Sequence, residues 1–159
     1  MGYLVSETSE IESGLDKAKQ LMQASKFAEA ENQLQIMLVD ASKNSDLLYM
    51  IAVCQRYQQK HSEALKTLQS LRMLFPDHGR AYQEIGHVYR AMNQIDAALN
   101  SYSQATLINP ALEASFQSQI DILRATNRPD LGIRLADLEK QLKELKEELI
   151  DRFGLMPDQ

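Results

Sequence analysis

The chain has 159 residues, 44% hydrophobic and 25% charged, a balance that suits one soluble, packed domain or a short array of repeats. A formal net charge of −5 opposes general nucleic-acid binding, which needs a basic surplus to release counterions. The single cysteine, Cys54, excludes an internal disulfide and fits a reducing compartment.

The opening stretch, residues 1–10, reads as an extension without the basic start and apolar core of a signal peptide. No apolar run reaches the ~18 residues of a membrane span, so a cytoplasmic location is expected. Helical stripes separated by short turns follow. Turns are expected at "ASKF" after Met22, "QQKHS" after Tyr57, "AMNQID" from Ala91 and "TNRPD" after Leu123. In the central part, Tyr82, Ile85 and Tyr89 form one apolar stripe, and Ile95, Ala98, Leu99 and Tyr102 form another. Asn93 suits a left-handed turn residue between them, and Asp96 suits a cap of the following helix. Pro76 and Pro110 stop the second helix of each pair.

These features recur every 34 residues. Gly86 aligns with Ala52, and Ala98 with Ala64 and Ala30. Tyr102 aligns with Leu68 and Leu34, Ala105 with Leu71 and Met37, and Pro110 with Pro76. Forward by one period, Tyr82 falls on Phe116, Tyr89 on Leu123 and Asn93 on Asn127. A fixed period of this size means stacked helix pairs. Gly86 and Ala98 are expected to face each other where paired helices approach most closely.

The residues from Gly79 to Leu112 resemble a tetratricopeptide repeat (TPR) at Tyr82, Ile85, Gly86, Tyr89, Ala98, Tyr102, Ala105 and Pro110. Residues 45–78 resemble it with Ala52 for the glycine and Gln55 for an aromatic. Residues 11–44 are a weaker match, keeping "FAEA" and Leu34 but with Gly14 at position four and Ser42 where proline is usual. Residues 113–130 are a degenerate fourth repeat, with Gly132 beyond them at the usual alanine. The resemblance implies an all-α fold, a right-handed superhelix of antiparallel helix pairs whose first helices line a concave groove. More loosely, residues 75–130 resemble the N-terminal repeat arrays of bacterial TPR–sulfotransferase proteins, whose catalytic domain lies further along the chain. That implies the alternative of a non-catalytic region of a larger sulfotransferase.

The last segment, 131–153, has Leu131, Leu135, Leu138, Leu142, Leu145 and Leu149 at alternating steps of four and three. This is a heptad seam on a long amphipathic helix. It is expected to cap the array; the alternative is a homodimer contact. Residues 154–159 read as a tail.

No phosphate-binding, nucleophile-elbow or zinc-protease motif is present in the sequence. His61, His78 and His87 do not pair at metal-ligand spacings, and Cys54 reads as a packed thiol. Neither a catalytic residue, a metal site nor a cofactor is expected. The expected function is a protein–protein interaction scaffold. The TPR resemblance implies groove-facing residues at fixed repeat positions: Lys19, Tyr49, Arg56, Tyr57, Arg80, His87, Arg90 and Arg124. Arg56, Arg90 and Arg124 occupy one repeat position. Guanidinium forks beside aromatics suit an acidic or carboxylate-bearing peptide, with Asp46, Glu84 and Asp121 placed to offset part of the charge. The clamp positions of TPR chaperone cofactors fall on Leu15, Lys19, Met50, Arg80 and Glu84, of which only Arg80 keeps the clamp's character.

Overall fold

A computed structural model describes residues 2–128, 130 and 132–154. Among the described residues eight α-helices follow in order: α1 (Gly2–Gln23), α2 (Phe27–Asp40), α3 (Ser45–Tyr57), α4 (His61–Leu74), α5 (Gly79–Ala91), α6 (Ile95–Ile108), α7 (Glu113–Thr126) and α8 (Gly132–Phe153). The architecture is the expected all-α, TPR-type one, and the described residues contain no strand. Helix α1 runs through the stretch read as an N-terminal extension. The helices fall into two compact halves, Met1–Glu84 and Ile85–Gln159, with the division inside α5.

The repeat is written in the backbone as well as in the side chains. Ser25, Gln59, Asn93 and Asn127 all have positive φ, at 59°, 63°, 60° and 45°. Each lies 34 residues after the last. The first three sit in one hydrogen-bonded pattern. Lys26 N–H donates to Leu21 O, Lys60 to Gln55 O and Gln94 to Tyr89 O, at 2.8–2.9 Å. This closes the last turn of each first helix around a left-handed residue. Asparagine tolerates that conformation, so Asn93 meets expectation and Asn127, one period on, shares it.

Helix starts follow the same period. The Asn44 side chain accepts from Leu47 N–H at 3.1 Å, and 34 residues on, His78 Nδ1 accepts from Ala81 N–H at 3.2 Å. Asp96 is not the cap foreseen for α6. Gln94 holds the cap position without a side-chain bond, and Asp96 lies in the first turn, where it pairs with Arg128. A carboxylate there still complements the positive end of the helix.

In the N-terminal half, Ala18, Ala30, Leu34, Leu47, Ile51 and Cys54 are fully buried. Gln55, which stands where the repeat usually has an aromatic, ties three helices together. Its Nε2 donates to Glu31 Oε1 at 3.3 Å, and its Oε1 accepts from Thr67 at 2.8 Å. Glu31, nearly buried, also accepts from Gln58 at 2.7 Å and pairs with Lys60 at 3.4 Å. A buried carboxylate is tolerable when its lone pairs are met in this way. Burial and the nearby Glu31 carboxylate push the Cys54 thiol up to about 12, so it remains a packed, unreactive group.

In the C-terminal half, four leucines of the α8 seam pack into one cluster with α6 and α7. Leu138 and Leu142 are buried in one cluster with Phe116, Ile120 and Leu123, and Leu135 and Leu145 pack at its edge. The seam position Leu131 lies outside the described residues. Gly86 is the other close approach of this half, and the atoms nearest to it belong to Tyr102. A Cβ at Gly86 would lie 2.7 Å from Cδ1 and Cε1 of Tyr102. The missing side chain is replaced by a tyrosine ring from α6.

Candidate functional site

Within the N-terminal half, α3 and the first turns of α5 bring together Tyr49, Arg56, Tyr57 and Arg80. The apolar stripe of α3 faces inward through Leu47, Ile51 and Cys54. That leaves Tyr49 half-buried and Arg56 only partly covered at the edge.

Arg56 is not a free cation. Its Nε donates to Glu84 Oε2 at 2.6 Å, and its second nitrogen donates to Glu84 Oε1 at 3.4 Å. Its guanidinium also lies 4.4 Å from the centre of the Tyr57 ring. The Tyr57 ring in turn stacks on Phe27, with centroids 4.5 Å apart and planes within 6°. Glu84 is 4% exposed, so it is effectively a buried carboxylate whose counter-ion is Arg56. Arg56 and Tyr57 are therefore joined to the framework, and the exposed part of Tyr57 is an immobilised ring.

Tyr49 and Arg80 are different. The Tyr49 phenol is pushed above its ordinary value, chiefly by burial and next by the Glu84 carboxylate, while Arg80 and Arg56 pull it down. It is consequently a neutral O–H donor under physiological conditions. Arg80 is exposed and makes no ion pair among the described residues. The His78 ring sits 5.7 Å from the Tyr49 ring.

His78 carries a pH dependence. Burial, the largest cause, lowers its pKa below the ordinary histidine value. Its Nδ1 accepts the Ala81 N–H, so protonation there would remove the acceptor at the start of α5. A base with a depressed folded pKa binds fewer protons folded than unfolded in this range. Stability is therefore full above about pH 6.5 and is lost as pH falls through the folded value. Melting curves taken between about pH 7 and about pH 5 should show this loss. His78→Asn, which keeps an acceptor as Asn44 does, should flatten the dependence. An unchanged slope in that variant would assign the effect to another group.

The other residues expected in a groove are placed as follows. Lys19 is exposed on α1. His87 Nδ1 lies 2.6 Å from Tyr102 Oη, an edge-on contact that joins α5 to α6 within the C-terminal half. Arg90 is exposed in the last turn of α5. Arg124 donates twice to Glu139 Oε1, at 2.7 and 3.2 Å, tying α7 to α8. Thus two of the three periodic arginines, Arg56 and Arg124, have carboxylate partners on other helices. Among the described residues, no group of three or more histidine, cysteine or acidic side chains is arranged to hold a metal ion. No helix among them is long and apolar enough to cross a membrane.

Helix pairs with one recurring turn and one recurring period define an α-helical repeat scaffold for protein interactions. The chain carries tetratricopeptide repeats: models of that repeat match residues 46–78 and 79–112. No curated protein matches the chain in sequence. Among solved structures, a crystal structure of MamA is similar with a TM-score of 0.76 and 20% identity, over 94% of this chain and 86% of that one. The Yersinia enterocolitica type III secretion chaperone SycD, in complex with a peptide of the translocator YopD, is similar with a TM-score of 0.60 and 12% identity. That likeness covers 88% of this chain and 95% of that one. At these identities the likeness concerns the fold.

Proposed function

We propose that the chain is a non-catalytic binding protein whose α3–α5 face receives a peptide segment bearing a carboxylate. The carrying observation is the difference between its cations. Arg56 is neutralised by a buried Glu84, whereas Arg80 has no ion-pair partner among the described residues and lies near enough to Tyr49 for its charge to act on that phenol. Arg80 supplies the charge for an incoming carboxylate, Tyr49 supplies a hydrogen bond, and the fixed Tyr57 ring supplies an apolar platform. A peptide complex of SycD, which shares the fold, supports peptide capture as a use of such a scaffold.

The test is calorimetry with a panel of short peptides ending in a free carboxylate, each paired with its C-terminal amide. The free acid should bind more tightly, and salt should weaken it because exposed charges are screened over ~8–10 Å. Arg80→Gln and Tyr49→Phe should each cost roughly 1–2 kcal/mol of binding. Equal affinity of acid and amide would overturn the reading.

A further inference from the structure

The α1–α2 pair carries a separate surface. Helix α1 has 22 residues and α2 has 14, and a short turn joins them. The excess lies at the start of α1, so about two turns, or ~12 Å, extend past the end of α2. The pair is pinned near that end by Gly14, where a Cβ would come within 2.5 Å of the Met37 methyl. An open cleft of about 520 Å³ lies there, lined by Glu7, Glu10, Ile11, Met37, Asp40 and Ala41. Ile11, Met37 and Ala41 are half-buried and make an apolar floor; the three carboxylates are exposed along the rim.

The cleft is negative for two independent reasons. None of Glu7, Glu10 and Asp40 takes part in an ion pair among the described residues, Lys43 nearby included. The end of α2 also faces it uncompensated. Its last turn has no basic residue and holds Asp40, which sits at the wrong pole of the helix. The equivalent ends of α4 and α6 are closed by Phe75 N–H to Leu71 O at 2.8 Å and Asn109 N–H to Ala105 O at 2.9 Å. One period earlier, no bond from Ala41 N–H to Met37 O is formed. Proline follows those two ends, and Ser42 follows this one. The α2 terminus thus presents open carbonyls beside three unpaired carboxylates, over aliphatic side chains.

We infer that this cleft is a docking site for a basic amphipathic segment, one that places lysine or arginine beside aliphatic side chains. Charge complementarity selects that occupant: the cation meets the carboxylates and helix end, while its aliphatic neighbours cover the apolar floor. A metal ion fits less well, because the carboxylates are not gathered into a group able to ligate one. The surface is distinct from the α3–α5 face and takes a partner of opposite charge.

The experiment uses the full chain and a labelled helical peptide of leucine and lysine at i, i+4 spacing, with a glutamine-for-lysine control. Fluorescence anisotropy should show saturable binding of the lysine peptide alone. Glu10→Gln with Asp40→Asn should weaken it by roughly three- to tenfold. Glu12→Gln with Asp16→Asn removes as much charge from the same half outside the cleft and should leave binding nearly unchanged. Equal losses in both double variants, equal binding of the control peptide, or no saturable binding would each overturn the proposal. So would self-association of the chain that the cleft variant abolishes, since the occupant would then be a second copy.

Discussion

Gly86→Leu should destabilise the protein by about 3 kcal/mol, near the upper end for overpacking a filled core. The reason is geometric. A Cβ at this position would sit 2.7 Å from two ring atoms of Tyr102 and 2.9 Å from a third. The ring has nowhere to retreat: Tyr102 is fully buried, its hydroxyl is held by His87 at 2.6 Å, and its other neighbours are core residues of α6 and α7. Gly86→Ala tests the same contact more gently. Alanine gains about 1 kcal/mol of helix propensity, so its net loss should be smaller. Thermal melting should register the leucine variant as a drop of roughly 6–12 °C, at ~2–4 °C per kcal/mol for a chain of this size. Combining Gly86→Ala with Tyr102→Leu should cost less than the sum of the two single changes, because the second removes the atoms that the first would meet. A leucine variant that melts like the parent would show that α5 and α6 are further apart than the structure has them.

The fold was legible because period and residue type agreed at most positions. Asn93 and Asn127 are readable as left-handed turn residues from side-chain chemistry alone. Ser25 and Gln59 are not; they become readable only by stepping one period from the asparagines, since serine and glutamine have no marked preference for that conformation. Gly86 was readable as a close approach, but the Tyr102 ring that a Cβ there would meet was not. Periodicity says that a helix comes near; which side chain fills the space depends on how far along the partner helix the contact falls.

The site was less legible, and the arginines show why. Arg56, Arg90 and Arg124 are equivalent in the repeat, so a pattern argument treats them alike. Their surroundings come from residues that are not equivalent. Glu84 lies 28 residues after Arg56, and the same step from Arg90 reaches Ser118, which has no charge to offer. Arg124 meets Glu139, on a helix that has left the repeat pattern. His87 was legible as a polar residue on α5, but its contact with Tyr102 depends on the spacing of α5 from α6. Free and committed cations separate only when side-chain partners across helices are known.

Arg56→Ala should therefore act on stability before it acts on binding. Removing the guanidinium leaves Glu84, 4% exposed, as a buried carboxylate without its partner. Breaking a buried pair from one side typically costs 3–5 kcal/mol. Arg56 retains 20% side-chain exposure, and water reaching that side should bring the loss to roughly 3 kcal/mol. The stacking of the guanidinium on Tyr57 is lost as well. Arg56→Lys should recover only part, since an ammonium keeps the charge but loses the fork and the planar stack. The decisive variant replaces both partners. Arg56→Met with Glu84→Leu removes the charges together and fills the space with apolar groups of similar length, and such swaps are often neutral or better. It should be markedly more stable than either single change, giving a large coupling energy in a double-mutant cycle. Urea denaturation at neutral pH measures the four proteins of that cycle, with Arg56→Ala and Arg56→Lys beside them. If Arg56→Ala unfolds at the parent's midpoint, the pair is an ordinary surface contact and Arg56 returns to the set of cations available to a partner. If it unfolds early while the double variant does not, Arg56 belongs to the framework. In that case, loss of peptide affinity in the double variant, with Arg80 intact, measures how much the rigid Tyr57 platform contributes to binding.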